Sequence, residues 1–383
     1  MKGSEIHTTD SAASDKRQQV FIPPHDSIRV IRPVCDSPER SARLDTLLGP
    51  ELDDLRAKGV KVDVLEHSED IHPDELACSR LLFAVSLTEA GVNMEYYRLL
   101  ELLRGSPGCL RGSVGGIIVD GGGEFYTKAI ARRFAFSANA AGCVFPGRAL
   151  VEATGSLGNF HVLSSITGKT PLEVYRSQLS DLIGRVLSFD YPETNGLTKI
   201  LAVHASTRRT SNTLLLWDKV KLNLDDSADI TEVSLRNGEI YDCRGCSYES
   251  CLHFGENDAC FYGGIITEQA YPALLEADAL VLICPNYNDA VSANITAFIN
   301  RMTSIFRSHD FSSKRVYAII VSGYSGGDII AEQIIGALSF NKSFILPAGF
   351  AMLETANDPQ SILRVDNIDK KAAEFARGML HPL

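Results

Sequence analysis

The sequence lacks features that would point to a membrane or a nucleic acid. No apolar run in its 383 residues approaches the length that spans a bilayer. Basic residues are in deficit, with 37 Lys and Arg against 48 Asp and Glu, whereas a phosphate backbone binds a basic face. The first twenty residues contain no apolar segment of the signal-peptide kind. We therefore expect a disordered leader over residues 1–24, a cytoplasmic location, and no membrane or nucleic-acid partner.

Nine cysteines stand out against this background. In a cytoplasmic chain they are expected to be reduced thiols or metal ligands more than disulfides. Four lie close together in the pattern C-x2-C-x4-C-x8-C, namely Cys243, Cys246, Cys251 and Cys260. The isolated ones, which we expect to be small buried apolar residues, are Cys35, Cys78, Cys109, Cys143 and Cys284. Only Cys284, at the end of a predicted strand, merits a test of reactivity.

The second half of the chain alternates short apolar runs with helix-length segments. The predicted strands are Lys199–His204, Ile230–Leu235, Ala279–Cys284, Arg315–Ser322 and Ser343–Leu346. The predicted helices are Ser211–Leu224, Tyr271–Glu276, Ser292–Arg307 and Asp328–Leu338. Continuous apolar strands that alternate with helices indicate an α/β fold with a doubly wound parallel sheet. Ligands of such sheets bind beyond the carboxyl ends of the strands.

The first half repeats this plan at an offset of roughly one domain length. Ile28–Val34, Gly116–Asp120 and Arg148–Thr154 match the strands that begin near residues 199, 281 and 316. We therefore predict two domains of one fold, at residues 25–190 and 195–383, with the four-cysteine loop at 243–260. The linker around Leu187–Thr198 contains Pro192 and Gly196, as a domain boundary often does.

A polar turn follows the first strand of the second half. It contains Ser206, Arg208, Ser211, Asn212 and Thr213. Hydroxyl groups, a guanidinium and the N–H groups of a helix N-terminus can together hold a phosphate, although a Ser-rich turn is more often only a helix cap. The turn resembles Gly-Ser-x-Arg-x-x-Ser-Asn-Thr of the flavodoxin-like NAD(P)H-dependent FMN reductases, with Ala205 in place of the glycine. In that family these residues hold the FMN phosphate.

Two further turns extend the resemblance, which covers Leu197 to Ala356. Cys284-Pro285-Asn286-Tyr287, followed by Phe298-Ile299-Asn300-Arg301, is similar to the family's Ser-Pro-x-Tyr and Phe-Ile-Asp-Arg. The third turn, with Gly323, Gly326 and Gly327, is similar to its Gly-x-x-Gly-Gly, where glycines let the main chain approach the flavin. The resemblance implies that FMN binds at the second and third turns through Pro285, Asn286, Tyr287, Asn288, Asp289, Gly323, Gly326 and Gly327.

The four cysteines admit three interpretations. The iron–sulfur flavoproteins, a subset of this family, have a compact four-cysteine motif at this position that binds a [4Fe–4S] cluster. Four thiolates suit such a cluster, although the spacing here is looser than in the subset. Zinc held by four thiolates is the second interpretation, and a loop without metal is the third.

The resemblance implies a flavodoxin-like second half and an FMN-dependent oxidoreductase, and the repeat in the first half predicts a second flavodoxin-like domain. NAD(P)H would reduce the flavin, which would pass electrons to a small-molecule or protein acceptor; no catalytic acid or base is assigned. The alternatives are an electron-transfer flavoprotein without its own small substrate and a cofactor-less binding module. The first domain lacks the Ser-Asn-Thr triplet and is expected to be a degenerate copy that covers the flavin; alternatively it holds a small ligand at Gly121–Thr127. Relatives commonly dimerise near the flavin, so a homodimer is expected.

Overall fold

The computed structural model describes residues 23–35, 38–192, 196–206, 211–236 and 238–382. The predicted leader lies outside the described residues, apart from 23 and 24. The described residues form two parallel sheets flanked by helices, one in residues 23–192 (the N-terminal lobe) and one in residues 196–382 (the C-terminal lobe). Among the described residues, no helix combines the length and apolar character that crossing a membrane requires.

The N-terminal lobe has a sheet in the order β2-β1-β3-β4-β5, and β6 also pairs with β4. Its strands are β1 Ser27–Ile31, β2 Lys61–Leu65, β3 Arg80–Leu87, β4 Ser113–Gly121, β5 Cys143–Val144 and β6 Leu150–Ala153. Its helices are α1 Pro38–Ala57, α2 Met94–Gly105, α3 Thr127–Ala140, α4 His161–Thr167 and α5 Pro171–Ser188, and its 3₁₀ turns are Ser68–Asp70, Pro73–Glu75 and Gly158–Phe160. Every residue of β3 and β4 is buried, because helices cover both faces of these central strands.

The C-terminal lobe has a sheet in the order β11-β10-β9-β7-β8. Its strands are β7 Thr198–His204, β8 Ala228–Ser234, β9 Ala279–Pro285, β10 Arg315–Ser322 and β11 Ala351–Thr355. Its helices are α6 Asn212–Lys221, α7 Tyr248–Gly255, α8 Tyr271–Glu276, α9 Ala293–Arg301, α10 Gly327–Ile334 and α11 Ile368–Leu380. Its 3₁₀ turns are Asp225–Ser227, Ile305–Arg307 and Ser361–Arg364, and its π-helical segments are Ile266–Ala270 and Ile335–Phe340.

Counted from the start of each lobe, both sheets have the strand order 2-1-3-4-5. This is the flavodoxin-like doubly wound order, so the predicted fold class is confirmed in both lobes. The domain limits stay predictions, although α5 ends at Ser188 and β7 begins at Thr198, on either side of the predicted linker.

The predicted equivalence of individual strands is wrong after the first one. By sheet order, β3 matches β9 and β4 matches β10, whereas the sequence analysis matched Gly116–Asp120 of β4 with β9 and did not predict β3. The four-cysteine segment makes the link from β8 to β9 longer than the link from β2 to β3. The offset between the lobes is therefore about 200 residues from β3 onward.

The prediction of a last strand at Ser343–Leu346 is also wrong. Its residues form only isolated bridges, from Ile345 to Arg315 and from Leu346 to Phe145. The edge strand is β11, at Ala351–Thr355, whose residues are mostly half-buried. Ser343–Leu346 is apolar and buried because it lies between the lobes, which explains why it resembles a strand in sequence.

The two lobes meet through matching positions. Phe145 and Leu346 exchange both backbone hydrogen bonds, at 3.0 and 2.9 Å. Arg148 N–H donates to the Ser339 carbonyl at 3.0 Å, and Gly349 N–H donates to the Asn139 carbonyl at 3.2 Å. Because each contact is mirrored by its counterpart about 200 residues away, the interface has the self-complementary form of a two-fold dimer. One apolar core runs through it and includes Phe134 and Phe344.

Candidate active site

A cavity of about 550 Å³ opens at the carboxyl end of the C-terminal sheet. Its lining residues are Ser211, Asn212, Thr213, Pro285, Asn286, Tyr287, Asn288, Asp289, Val321, Gly323, Tyr324, Ser325, Ala356 and Asn357. The three turns selected from the sequence therefore meet at one place, which we call the main cavity. Its volume is within the range of roughly 300–1,000 Å³ that is typical of cofactor and ligand sites.

The first turn brings the start of α6 to the main cavity. Ser211 caps this helix, its Oγ accepting a hydrogen bond from the Leu214 N–H at 3.3 Å. Asn212 and Thr213 occupy the first helical positions, where backbone N–H groups lack intrahelical partners and carry partial positive charge. The Asn212 amide donates to the carbonyls of Ala356 and Asp358 at 3.0 and 2.8 Å, so its side chain ties α6 to the loop after β11.

Of the other two residues of the first turn, the structure describes Ser206 but not Arg208. Ser206 follows β7, is 9% exposed, and does not line the main cavity. Its buried Oγ has no hydrogen-bond partner among the described residues, which is costly unless a ligand or water supplies one. Arg208 lies outside the described residues.

Hydrogen bonds from Asn286 join the second turn to the third. Its Nδ2 donates to the Ser325 carbonyl at 2.8 Å and to Ser322 Oγ at 3.2 Å, and its Oδ1 accepts from the Asp289 N–H at 2.9 Å. Gln333 of α10 adds a bond from Nε2 to the Asp289 carbonyl at 2.9 Å. The two turns are therefore held as one rigid unit.

Gly326 allows this close approach. Its φ is +83°, and a Cβ at this position would lie 2.0 Å from Asp289 Oδ1. Gly327, whose Cβ would meet Leu353 at 2.9 Å, lets α10 pack against β11. Neither glycine lines the main cavity, so the structure shows both in a packing role beside it.

Two exposed tyrosines stand at the rim of the main cavity. Tyr287 is 61% exposed and Tyr324 is 83% exposed. Their ring faces suit a flat aromatic ligand. The sequence analysis did not select Tyr324, Ser325, Val321, Ala356 or Asn357. Tyr324 and Ser325 were inside a turn it quoted, while Ala356 and Asn357 follow β11, the strand that was misplaced.

The matching place in the N-terminal lobe is filled by its own side chains. Arg43 of α1 forms two hydrogen bonds to the buried Asp120, with Nη2–Oδ1 at 2.7 Å and Nε–Oδ2 at 3.1 Å. Its Nη1 donates to the Gly155 carbonyl at 3.0 Å, and Tyr175 Oη donates to Asp120 Oδ2 at 3.1 Å. By strand register, Asp120 occupies the position of Val321, which lines the main cavity of the C-terminal lobe. A buried carboxylate there would repel an anionic cofactor.

The four cysteines of residues 243–260 line one small cavity. Cys243 and Cys246 are exposed, Cys251 and Cys260 are half-buried, and all four are free thiols. Cys251 is on α7, whose Gly255 approaches the body of the lobe so closely that a Cβ would lie 2.1 Å from the Ser304 carbonyl oxygen. Within the described ranges, no three His, Cys, Asp or Glu side chains are arranged to hold a metal ion.

Positive charge surrounds these thiols. Arg301, 1% exposed, lines the cysteine cavity and donates from Nη2 to the Gly263 carbonyl at 2.7 Å and from Nη1 to the Tyr241 carbonyl at 3.5 Å. Its Nε is buried without a partner. Burial lowers the pKa of Lys342, and the nearby Cys243 opposes that shift. Cations beside thiols favour thiolates, the form that binds metals.

The donor set of the main cavity fits the flavin that the sequence suggests. A helix N-terminus and exposed aromatic rings at this cavity suit a phosphorylated flavin, and the unpartnered buried hydroxyl of Ser206 follows the neighbouring strand β7. The four thiols share one small cavity with a buried guanidinium, but the described side chains are not arranged around a metal position.

Comparison with known proteins agrees with this assignment. Residues 198–358 match the family model described as NADPH-dependent FMN reductase. The matched residues lie in the C-terminal lobe, which is therefore similar to this family. The similarity supports an oxidoreductase. A curated relative, an iron–sulfur flavoprotein of Archaeoglobus fulgidus, is 27% identical over 143 residues, which are 36% of this chain and 69% of that protein.

Two solved structures match at lower similarity. RosB with a bound 8-demethyl-8-formylriboflavin-5'-phosphate intermediate has a TM-score of 0.40 and 17% identity, over 48% of this chain and 78% of that one. A putative quinone reductase from Klebsiella pneumoniae has a TM-score of 0.38 and 14% identity, over 48% and 86%. These scores are too low to bear on function, and the fold assignment rests on the strand order.

Proposed function

We propose that the protein is an FMN-dependent oxidoreductase with one flavin site, the main cavity of the C-terminal lobe. The observation that carries this proposal is the convergence of three separate turns on one cavity at the carboxyl end of the sheet. When bound, FMN supplies hydride and single-electron chemistry. The chain supplies binding and orientation: the α6 N-terminus and Ser206 for the phosphate, and the joined second and third turns with Tyr287 and Tyr324 for the ring.

Flavin content tests this proposal directly. Purified protein should contain close to one FMN per chain, because Arg43 and Asp120 occupy the matching place in the N-terminal lobe. Arg208→Ala should release FMN, since loss of a charged hydrogen bond of about 1.5–3 kcal/mol weakens binding roughly 10–150-fold. Arg56→Ala, on the exposed face of α1, serves as the control. Full flavin occupancy in Arg208→Ala would reject the phosphate assignment, and two FMN per chain would reject the filled N-terminal site.

We further propose that Cys243, Cys246, Cys251 and Cys260 hold a [4Fe–4S] cluster. Their shared cavity and the cations around it support this interpretation over a loop without metal. Iron, sulfide and zinc analysis of anaerobically purified protein separates the three alternatives. Cys246→Ser should lower iron content while FMN is retained, whereas Cys78→Ser, at an isolated half-buried cysteine, should leave both unchanged.

Electrons from NAD(P)H are proposed to leave through the flavin to a small-molecule or protein acceptor. Steady-state oxidation of NADH and NADPH with quinone, nitro and azo acceptors tests this step. Flavin and iron with negligible NAD(P)H oxidation would favour an electron-transfer protein without its own substrate. Among the described residues, those that line the main cavity all belong to the C-terminal lobe, so cover by the N-terminal lobe stays a prediction. The homodimer and the cytoplasmic location stay predictions.

A further inference from the structure

A second large cavity lies between the two lobes, and it shares no lining residue with the main cavity. It has a volume of about 410 Å³, with walls formed by α3, β6, α4 and α5 of the N-terminal lobe and by Phe340 and Asn341 of the C-terminal lobe. Three cationic side chains line it: Lys128, Arg148 and Arg185. We call it the basic cavity. Such a concentration of cations is notable in a chain whose net charge is −11.

The lining of the basic cavity contains more cationic side chains than carboxylates. Lys128 pairs with Glu152 at 3.3 Å, and Glu152 also accepts a hydrogen bond from Thr127 Oγ1 at 2.9 Å. The remaining carboxylate in the lining is the exposed Asp181. One positive charge is therefore left without a compensating carboxylate in the lining.

Arg185 has an unsatisfied donor at this place. Its Nη2 donates to the Arg148 carbonyl at 3.1 Å, but its Nε is buried and has no partner. Burial lowers the pKa of Arg185; the charge of Asp181 opposes this shift, and the charge of Arg148 adds to it. Since a buried guanidinium N–H is costly to leave unpaired, an anion in the basic cavity would relieve both the missing hydrogen bond and the repulsion.

Arg148 is held in a backbone conformation that disfavours a side chain. Its φ is +56°, and its counterpart in the other lobe, Gly349, has a φ of +62°. In this conformation the N–H of each residue makes an inter-lobe hydrogen bond. A glycine adopts it without strain, so the arginine is retained at a cost. Its Nε donates to Ser343 Oγ at 2.8 Å, and its guanidinium lies 5.5 Å from the centre of the Phe306 ring.

We propose that the basic cavity binds a phosphate ester of mononucleotide size. Two guanidinium groups and an ammonium match a dianionic phosphate better than a single carboxylate, because arginine binds phosphate oxygens in pairs. Leu163 and Phe340 give the cavity an apolar wall on which the organic part of the ester can rest. Since both lobes contribute to the wall, the bound ester stabilises their contact by mass action.

The test is calorimetric titration of FMN-saturated protein with ADP and, separately, with inorganic phosphate. Saturating the protein with FMN keeps the probes out of the main cavity. ADP should bind saturably and raise the melting temperature, and inorganic phosphate should bind more weakly. Arg185→Gln and Arg148→Gly should each weaken ADP binding about tenfold or more. Arg176→Gln is the matched control, because this exposed residue of α5 pairs with Glu51 and does not line the cavity.

The Arg148→Gly variant distinguishes loss of ADP binding at the basic cavity from unfolding of the protein. Glycine restores the residue that the other lobe uses, so the variant should fold and keep its FMN while losing ADP affinity. ADP binding that neither arginine variant weakens, or no binding of either probe at millimolar concentration, would overturn the proposal. Phosphate binding as tight as ADP binding would overturn the assignment to an ester. Flavin absorbance recorded in the same samples keeps these outcomes distinct from a failure of the flavin site.

Discussion

Arg301 holds both ends of the cysteine-rich segment to the body of the C-terminal lobe. It is the last residue of α9, and its two terminal nitrogens bond to carbonyls that flank residues 243–260 on either side, those of Tyr241 and Gly263. Its own carbonyl accepts a hydrogen bond from Tyr271 Oη at 2.5 Å. The geometry of the four thiols therefore depends on a residue outside their segment.

We expect Arg301→Met to lower the iron content and the stability of the protein. Methionine fills similar space but removes two charge-assisted hydrogen bonds, each contributing about 1.5–3 kcal/mol. Metal analysis and denaturant unfolding measure the two effects. Arg307→Met is the control, since this exposed side chain lies against Tyr248 of the same segment without bonding its ends. Normal iron retention in Arg301→Met would show that the segment is held by other contacts.

Exposed cysteines should react faster with a thiol reagent than buried ones. Cys284 is fully buried at the end of β9, and burial raises the pKa of its thiol to about 12. Burial also raises the pKa of Cys143. In native protein freed of metal, Cys243 and Cys246 should react quickly with a thiol reagent, while Cys284 and Cys143 should react only after unfolding. Mass spectrometry of the labelled peptides identifies them, and fast labelling of Cys284 would contradict its burial.

At the scale of elements, the site depends on how closely the second and third turns pack. Gly326→Ala should weaken FMN binding while the protein still folds, because a Cβ would displace Asp289 and the joined turns with it. The positive φ adds about 1–2 kcal/mol of strain. Gly59→Ala is a matched control: its φ is +86°, but a Cβ there meets nothing within 4 Å. FMN titration compares the two, and equal affinities would show that the turn packing does not matter for binding.

The sequence predicts elements best where the signal is local. The turns at Ser211, Pro285 and Gly323 are recognisable because capping hydroxyls, proline and glycine act within a few residues. β3 and β11 were missed for non-local reasons. For β3, a constant spacing between the halves was assumed, and the cysteine-rich insertion breaks it after β8. For β11, the segment Ser343–Leu346 was taken as the strand, because its burial between the lobes gives it a strand-like sequence. The Asn286 bonds to Ser322 and Ser325, which unite two turns, link residues about 40 positions apart and have no sequence signature.

At the scale of the whole molecule, the two lobes are joined by buried contacts. A single apolar core includes Phe134 from one lobe and Phe344 from the other. Asn139 of α3 crosses the interface: its Nδ2 donates to the Pro347 carbonyl at 2.6 Å, and its Oδ1 accepts from the Phe350 N–H at 3.1 Å. Separation of the lobes would expose this core and break these bonds, so partial unfolding of one lobe is unfavourable.

We therefore expect the lobes to unfold in one transition. The chain has a single tryptophan, Trp217, which is buried in the C-terminal lobe, so its fluorescence reports on that lobe alone. Far-ultraviolet circular dichroism reports on both lobes, and the two transitions should coincide.

Asn139→Ala, a change in the N-terminal lobe, should lower the Trp217 midpoint. It leaves buried inter-lobe carbonyl and N–H groups unpaired, each costing about 1–3 kcal/mol. Asn93→Ala breaks comparable bonds inside the N-terminal lobe, to the Ser86 carbonyl and the Tyr96 N–H. In a cooperative molecule both variants lower the Trp217 midpoint. If only Asn139→Ala did so, the coupling would be confined to the interface. If neither did, the lobes would be independent domains, since destabilising one would leave the other unaffected.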